Sequence, residues 1–278
     1  MDQPPADPDV AAPAVRSVLV KACLNGSRRR AEHVAVPITT RELGADGRRA
    51  VAAGAGALHV HPRWRDESET LDPQACAEVV RECRRACPGV PVGLSTGAWI
   101  ESDPPRRIAL IERWTILPDF VSVNFSEPGA VDLCHFLSRW RIGIEAGLWA
   151  VADAEAFVAS GLAKRCLRVL LEPREEEPDL AIATGAAIHA VLDRHGVMLP
   201  RLLHGEGPAA WPVLQAAVAH GDDIRAGFED MLLLPDGRRA QSNADLVEEA
   251  VRIVRAARKP IRGRRESGHN DGCDPQPP

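Results

Sequence analysis

The chain has 278 residues, a formal net charge of −5, 45% hydrophobic and 26% charged residues. That composition reads as a soluble globular protein of one large domain or two small ones. The acidic balance argues against broad nucleic-acid binding, which needs a cationic surplus to neutralise phosphates. No apolar run reaches the roughly 18 residues that suggest a membrane-spanning helix, so no membrane partner is expected.

Arginine supplies nearly all the cations, lysine occurring only at Lys21, Lys164 and Lys259. Cys23, Cys76, Cys83, Cys87, Cys134, Cys166 and Cys273 are scattered without a CxxC pair. An odd, irregular set suits the reduced thiols of a cytoplasmic protein better than a disulfide framework. Residues 1–15 are rich in proline and aspartate and lack the basic and apolar regions of a secretory signal, so a flexible leader is expected.

In chain order, the first strand is expected over 18–23, followed by the turn Leu24-Asn25-Gly26-Ser27-Arg28. Thr39, ahead of acidic and apolar residues, caps a first helix that runs to about 53. A second strand covers 57–61. Asp72-Pro73 opens a second helix that ends near 88. The third strand, 90–94, runs into Ser95-Thr96-Gly97, and a third helix spans about 105–114. A fourth strand over 120–124 and a helix over about 130–140 lead to a fifth strand at 142–146. Asp153 is expected to cap a short fifth helix. The remaining strands are 166–171, 201–204 and 223–227. Helices follow them over about 179–195, 209–219 and, capped by Ser242 or Asn243, to about 257. From 259 to 278 the chain is polar and is expected to be a disordered tail.

Strict alternation of eight strands and eight helices implies a parallel sheet with right-handed crossovers. Its size is that of a single-domain TIM (β/α)8 barrel over 16–258. The alternative, a doubly wound open sheet, carries a glycine-rich fingerprint after the first strand, which Leu24-Asn25-Gly26-Ser27 lacks.

In such a barrel the chemistry sits at the C-terminal strand ends. Those ends carry Asn25, His59 and His61, Ser95 and Thr96, Asn124 and Glu127, Glu145, Glu172, His204 and Glu206, then Arg225, Glu229 and Asp230. His59 and His61 are two apart on a strand, so both imidazoles point to one side. Two converging imidazoles supply part of a metal site. Glu229 is the expected third ligand, because barrel closure brings the eighth strand beside the first and second. Glu145 and Glu127 are the reserve.

Ala22-Cys23-Leu24-Asn25-Gly26, His33 with Pro37-Ile38-Thr39, His59-Val60-His61 with Arg63, Ser95-Thr96-Gly97, Ser122-Val123-Asn124, Glu145-Ala146-Gly147, Gly227-Phe228-Glu229-Asp230 and Ser242-Asn243-Ala244 form an ordered set. As a set it resembles the β-keto acid cleavage enzymes over about 18–257. The resemblance implies a TIM barrel with one zinc ion held by His59, His61 and Glu229. It implies a reaction of a β-keto acid with acetyl-CoA that gives acetoacetate and a new acyl-CoA. Asp230 would then be the base, and Arg225 and Ser95 would hold it or bind the substrate carboxylate. Glu145, Asn124, Glu127, Thr96 and Gly97 would line the substrate. By analogy the protein would be a homo-oligomer, a tetramer.

Arg28 departs from the pattern, standing where the family's aminohexanoate enzyme has a glutamate. A cation there is expected to disfavour an amino-bearing substrate. Glu127 replaces a threonine of that enzyme.

The chemistry asks for an electron sink beside a ketone, either a Schiff-base lysine or a Lewis-acid metal. Only Lys21 lies on a barrel strand, whereas the metal route has a full ligand set. The glycines Gly205 and Gly207 are candidates for approach to coenzyme A phosphate. Other readings are a metal-dependent aldolase or hydrolase on the same barrel, and a barrel that binds a ligand without catalysis.

Overall fold

The computed structural model describes residues 16–263. Eight short strands alternate with eight helices. The strands are β1 (Val20–Cys23), β2 (Ala57–Val60), β3 (Val92–Ser95), β4 (Phe120–Asn124), β5 (Gly143–Leu148), β6 (Arg168–Leu171), β7 (Arg201–Leu203) and β8 (Ile224–Ala226). The helices are α1 (Thr40–Ala52), α2 (Pro73–Ala86), α3 (Pro104–Ile111), α4 (Ala130–Arg139), α5 (Val151–Ser160), α6 (Pro178–Arg194), α7 (Ala210–His220) and α8 (Asn243–Ala256).

Each strand pairs in parallel with its chain neighbour, and β8 pairs back onto β1. The remaining gap, between β7 and β8, is bridged at Leu202 and Asp223. There the Asp223 amide donates to the Arg201 carbonyl at 2.9 Å, and the Leu203 amide donates to the Asp223 carbonyl at 3.2 Å. The sheet therefore curls into a TIM barrel, as the alternation of elements implies.

Strand alternation divides the side chains into two populations. Val18, Val20 and Ala22 point outward and join the large apolar core between strands and helices. Leu19, Lys21 and Cys23 alternate with them. Leu19 joins Ala57 and Phe120 in a separate apolar cluster. Above that cluster runs a buried chain of alternating charge. Lys21 Nζ lies 2.7 Å from Glu145 Oε2, Arg168 Nε lies 3.0 Å from Glu145 Oε1, and Arg168 Nη1 lies 3.2 Å from Asp223 Oδ2. Alternating sign is what allows so many charges to be buried together.

Local signals set the helix ends. Thr39 and Glu42 form a reciprocal capping box on α1. Asp72 accepts from the amides of Gln74 and Ala75, with Pro73 in the first turn of α2. The expectation at α5 is corrected. Asp153 lies inside the helix, and its Oδ2 reaches back to accept from the amides of Trp149 (2.8 Å) and Ala150 (3.0 Å).

The folded unit also continues past 258. Ile261 bridges Val18, the Val18 amide donates to Pro260, and the Arg262 amide donates to Val18. Arg262 Nη2 lies 3.0 Å from Asp223 Oδ1. Polar composition concealed this strap because one apolar residue, Ile261, and one ion pair are enough to hold it. The expected leader, 1–15, and the tail from 264 onward lie outside the described residues.

Candidate active site

The strand ends open into a cavity of about 410 Å³, with His59, His61, Ser95, Asn124, Arg225 and Glu229 on its wall. His59 projects from β2 and His61 from just beyond it. The register that places His59 beside Cys23 and Gly93 fixes the first ring. Asn25 fixes the second. Its Nδ2 donates to the His61 carbonyl and its Oδ1 accepts from the His61 amide, both at 2.9 Å. The side chain thereby extends strand pairing past the end of β1.

The two Nε2 atoms lie 3.1 Å apart. Glu229 Oε2 lies 3.8 Å from His59 Nε2 and 3.6 Å from His61 Nε2. Glu229 arrives from the loop after β8, and two glycines permit its approach. Gly26 has φ +51, and a Cβ there would lie 2.4 Å from Glu229 Cγ. A Cβ at Gly227 would lie 2.0 Å from the Cys23 carbonyl oxygen. Asn243 secures the same loop, accepting from the Phe228 amide at 2.7 Å and donating to the Leu24 carbonyl at 2.8 Å.

The donor set of His59, His61 and Glu229 could hold a cation. Glu229 Oε2 is buried and has no hydrogen-bond partner among the described residues. Burial, helped by His61, Lys21 and Arg225, holds the His59 pKa well below its usual value, so its imidazole is neutral. His61 Nδ1 lies 2.5 Å from Glu69 Oε1, a contact that favours the proton on Nδ1 and so turns the Nε2 position toward the cavity. Glu69 is itself held by the Trp99 indole N–H at 3.1 Å from both carboxylate oxygens. A carboxylate behind a histidine in this way fixes both ring and tautomer.

Arg225 and Asp230 form a buried fork, with Nε to Oδ2 at 2.9 Å and Nη2 to Oδ1 at 2.5 Å. Arg225 Nη2 also lies 3.1 Å from Glu229 Oε1. Asp230 thus stands behind the cavity wall, fully buried, with His204 Nδ1 3.7 Å away. Glu172 lines the cavity. Burial would raise its pKa, but His204 beside it outweighs that and holds it at about 2. At the rim Arg174 pairs with Glu206 and lies 5.0 Å over the Trp149 ring.

Several residues expected at the substrate are placed elsewhere. Glu145 is fully buried and spent on Lys21 and Arg168. Glu127 accepts from Arg107 at 2.9 Å and from the Ala98 amide at 2.8 Å, and it also takes a hydrogen bond from Asn124. Neither is therefore free to serve as a reserve ligand. The Thr96 hydroxyl donates to the Ser122 carbonyl at 2.6 Å. Gly97 makes room for the Trp99 ring, which a Cβ would meet at 2.3 Å. Arg28 turns out of the cavity, its Nε donating to the Phe228 carbonyl at 2.8 Å and its Nη1 to Glu32 at 2.7 Å. Lys21, the one candidate for Schiff-base chemistry, is buried against Glu145 and is no free amine.

Sequence reasoning did not single out Glu69, Trp99, Trp149 or Arg174. These four lie on the loops beyond the strand ends, where no periodicity or spacing marks them.

A family model described as beta-keto acid cleavage enzyme matches residues 17–160 and 183–267. The chain is 24% identical over 255 residues to a 3-keto-5-aminohexanoate cleavage enzyme of Fusobacterium nucleatum, covering 87% of this chain and 92% of that one. It is 34% identical over 80 residues to a 3-oxoadipate:acetyl-CoA acetyltransferase of Cupriavidus necator, 28% of each chain. Among solved structures, the apo form of ObcA superposes with a TM-score of 0.67 at 17% identity, over 82% of this chain and 64% of that chain. The likeness to ObcA is one of fold, and the chain spans about two-thirds of ObcA's length. The family match covers most of the chain and includes the histidine pair, Arg225, Glu229 and Asp230, and on that match the chain belongs to the β-keto acid cleavage enzyme family.

Proposed function

We propose that the protein is a zinc-dependent acyl-exchange enzyme. It would convert a β-keto acid and acetyl-CoA into acetoacetate and a new acyl-CoA. The observation that carries the reading is Glu229 Oε2, buried and unpartnered among the described residues and turned toward two imidazole nitrogens, in a chain of this family. The acetyl-CoA named for the Cupriavidus relative supports the choice of co-substrate.

His59, His61 and Glu229 would hold the zinc, which when bound supplies a Lewis acid for the ketone oxygen. Asp230 would take the proton from the carbon between ketone and carboxylate; it stands behind the wall with both oxygens in the Arg225 fork, so substrate binding has to open that fork to bring the carboxylate to the carbon. Ser95 and Asn124, on the cavity wall, orient the substrate. The carbanion attacks the acetyl carbonyl, forming a carbon–carbon bond and releasing the coenzyme A thiolate. That thiolate attacks the original ketone carbon. The bond from this carbon to its former neighbour breaks, and the proton held by Asp230 returns to the departing acetoacetate.

The test is a screen of β-keto acids with acetyl-CoA, following acetoacetate. At least one acid should give product with metal-loaded protein and none after chelation. Asp230→Asn should keep the metal and lose turnover by at least about 100-fold, the scale of a lost general base. Cleavage that needs no acetyl-CoA would instead mark an aldolase or hydrolase.

A further inference from the structure

His204 follows β7 directly, its backbone amide donating to the Leu171 carbonyl at 3.1 Å. Its ring is buried between two carboxylates. Nδ1 lies 3.7 Å from Asp230 Oδ1, and Nε2 lies 3.7 Å from Glu172 Oε1. Both distances are within reach of an ion pair and beyond that of a hydrogen bond. Neither ring nitrogen has a hydrogen-bond partner among the described residues. Buried polar atoms are nearly always paired, so an imidazole with both nitrogens idle calls for a role. Glu172 lines the active-site cavity, and Asp230 stands fully buried behind it.

Asp230 reaches a substrate carbon only after its carboxylate leaves the Arg225 fork. Its main chain is tied, the amide donating to the Gly227 carbonyl at 3.0 Å and the carbonyl accepting from the Gly207 amide at 2.8 Å. The movement therefore belongs to the side chain. Arg225 keeps a partner when the fork opens, because its Nη2 also lies 3.1 Å from Glu229 Oε1. A buried carboxylate that gives up a guanidinium needs a new donor. His204 Nδ1 faces Oδ1, the oxygen that Nη2 would release. Closing that gap to an ordinary hydrogen bond takes a shift of about 0.9 Å. Oδ2, released by Nε, is then open to accept a proton. Glu172 faces the other edge of the ring, so the imidazole has an acceptor for a hydrogen on each nitrogen.

We propose that His204 is the positioning residue of the base, donating through Nδ1 to Asp230 Oδ1 as the Arg225 fork opens and so presenting Oδ2 to the substrate. The inference rests on the acyl-exchange reading, in which Asp230 is the base. The test uses acetoacetate and acetyl-labelled acetyl-CoA with metal-loaded protein. Acetoacetate is itself a β-keto acid, so acyl exchange on it carries label from the thioester into acetoacetate while acetyl-CoA is both consumed and re-formed. His204→Leu removes both nitrogens. His204→Asn places an amide N–H near the position of Nδ1, and His204→Gln places one near that of Nε2.

His204→Leu should lower kcat for the exchange about 10- to 100-fold, the scale of a reacting group held about 1 Å off its mark. The KM for acetoacetate and the zinc affinity should stay as in wild type, a split that a merely structural ring would not produce. His204→Asn should recover most of the loss, and His204→Gln should not. The Asn and Gln variants are close to histidine in size, so the decision stands even if His204→Leu folds poorly. Recovery by Gln to the level of Asn or above would show that the ring acts through Glu172, and it would overturn the proposal. Equal loss in all three variants, or wild-type rates in all three, would overturn it too. In each of those cases wild type still moves the label and the acyl-exchange reading survives. If wild type moves no label, that reading falls and the positioning role falls with it.

Discussion

Glu69 shows what a single side chain contributes to the site. It touches no other candidate ligand among the described residues, yet it favours the proton of His61 on Nδ1 and is held in turn by Trp99. Replacing it with glutamine keeps the shape and removes the charge. Glu69→Gln should weaken zinc binding about 10–100-fold, the usual effect of losing a carboxylate behind a ligating histidine. Competition against a chromophoric chelator measures this, and an unchanged unfolding midpoint would separate it from general destabilisation. Unaltered zinc affinity would mean that the site does not depend on the Glu69–His61 bond. Glu69 was illegible in the sequence because its partner is chosen by how a loop folds over the strand end. His59 and His61 were legible because strand alternation alone aims them together.

Among the elements, α1 illustrates a local device with a pH signature. Burial would raise the Glu42 pKa, but bonds from Arg30 and from the amides of Thr39 and Ile38 outweigh it and hold the carboxyl at about 2. A carboxylate whose folded pKa is depressed stabilises the fold above its unfolded pKa and loses that contribution as pH falls through the folded value. The window therefore runs from about pH 4.5 down to about 2. Glu42 is partly exposed, so the effect is about 1 kcal/mol or less after solvent screening. Glu42→Gln should flatten the pH dependence of stability across that window, read by denaturant unfolding at several pH values. The Thr39 cap was readable from its neighbours because a capping box is a short-range pattern. Asp153 was misplaced because an acid at the third helical position also marks a helix start in sequence, but it reaches back to the amides at and before the N-cap, where an N-cap side chain would reach forward into the first turn.

At the scale of the molecule, the barrel is closed by interactions between distant parts of the chain. Asp223 sits where β7 meets β8, accepts from the Leu19 amide at 3.0 Å, and pairs with both Arg168 and Arg262. Arg262→Ala should cost about 1–2 kcal/mol, because Asp223 keeps Arg168 as a partner. Asp223→Ala should cost about 3–5 kcal/mol, because it strips Arg168 of one of its two buried carboxylates. Chemical unfolding of the two variants checks the ranking; because Asp223→Ala also removes the Arg262 pair, equal losses would show that the Arg168–Asp223 pair adds nothing beyond the strap.

Element order, the strand ends and the histidine pair were set by periodicity and short-range spacing, and these survive any reading of the linear chain. The expected approach of Glu229 also followed from closure of an eight-stranded barrel. Tertiary structure decided which charges face the cavity. Glu145, Glu127 and Lys21 looked available at strand ends or on strands, but each meets an opposite charge from another element and is held in an ion pair there. Arg28 followed the same rule when the Phe228 carbonyl drew it out of the mouth. A charged side chain buried by folding takes the nearest partner that lowers its desolvation cost, and that partner is a property of the closed barrel.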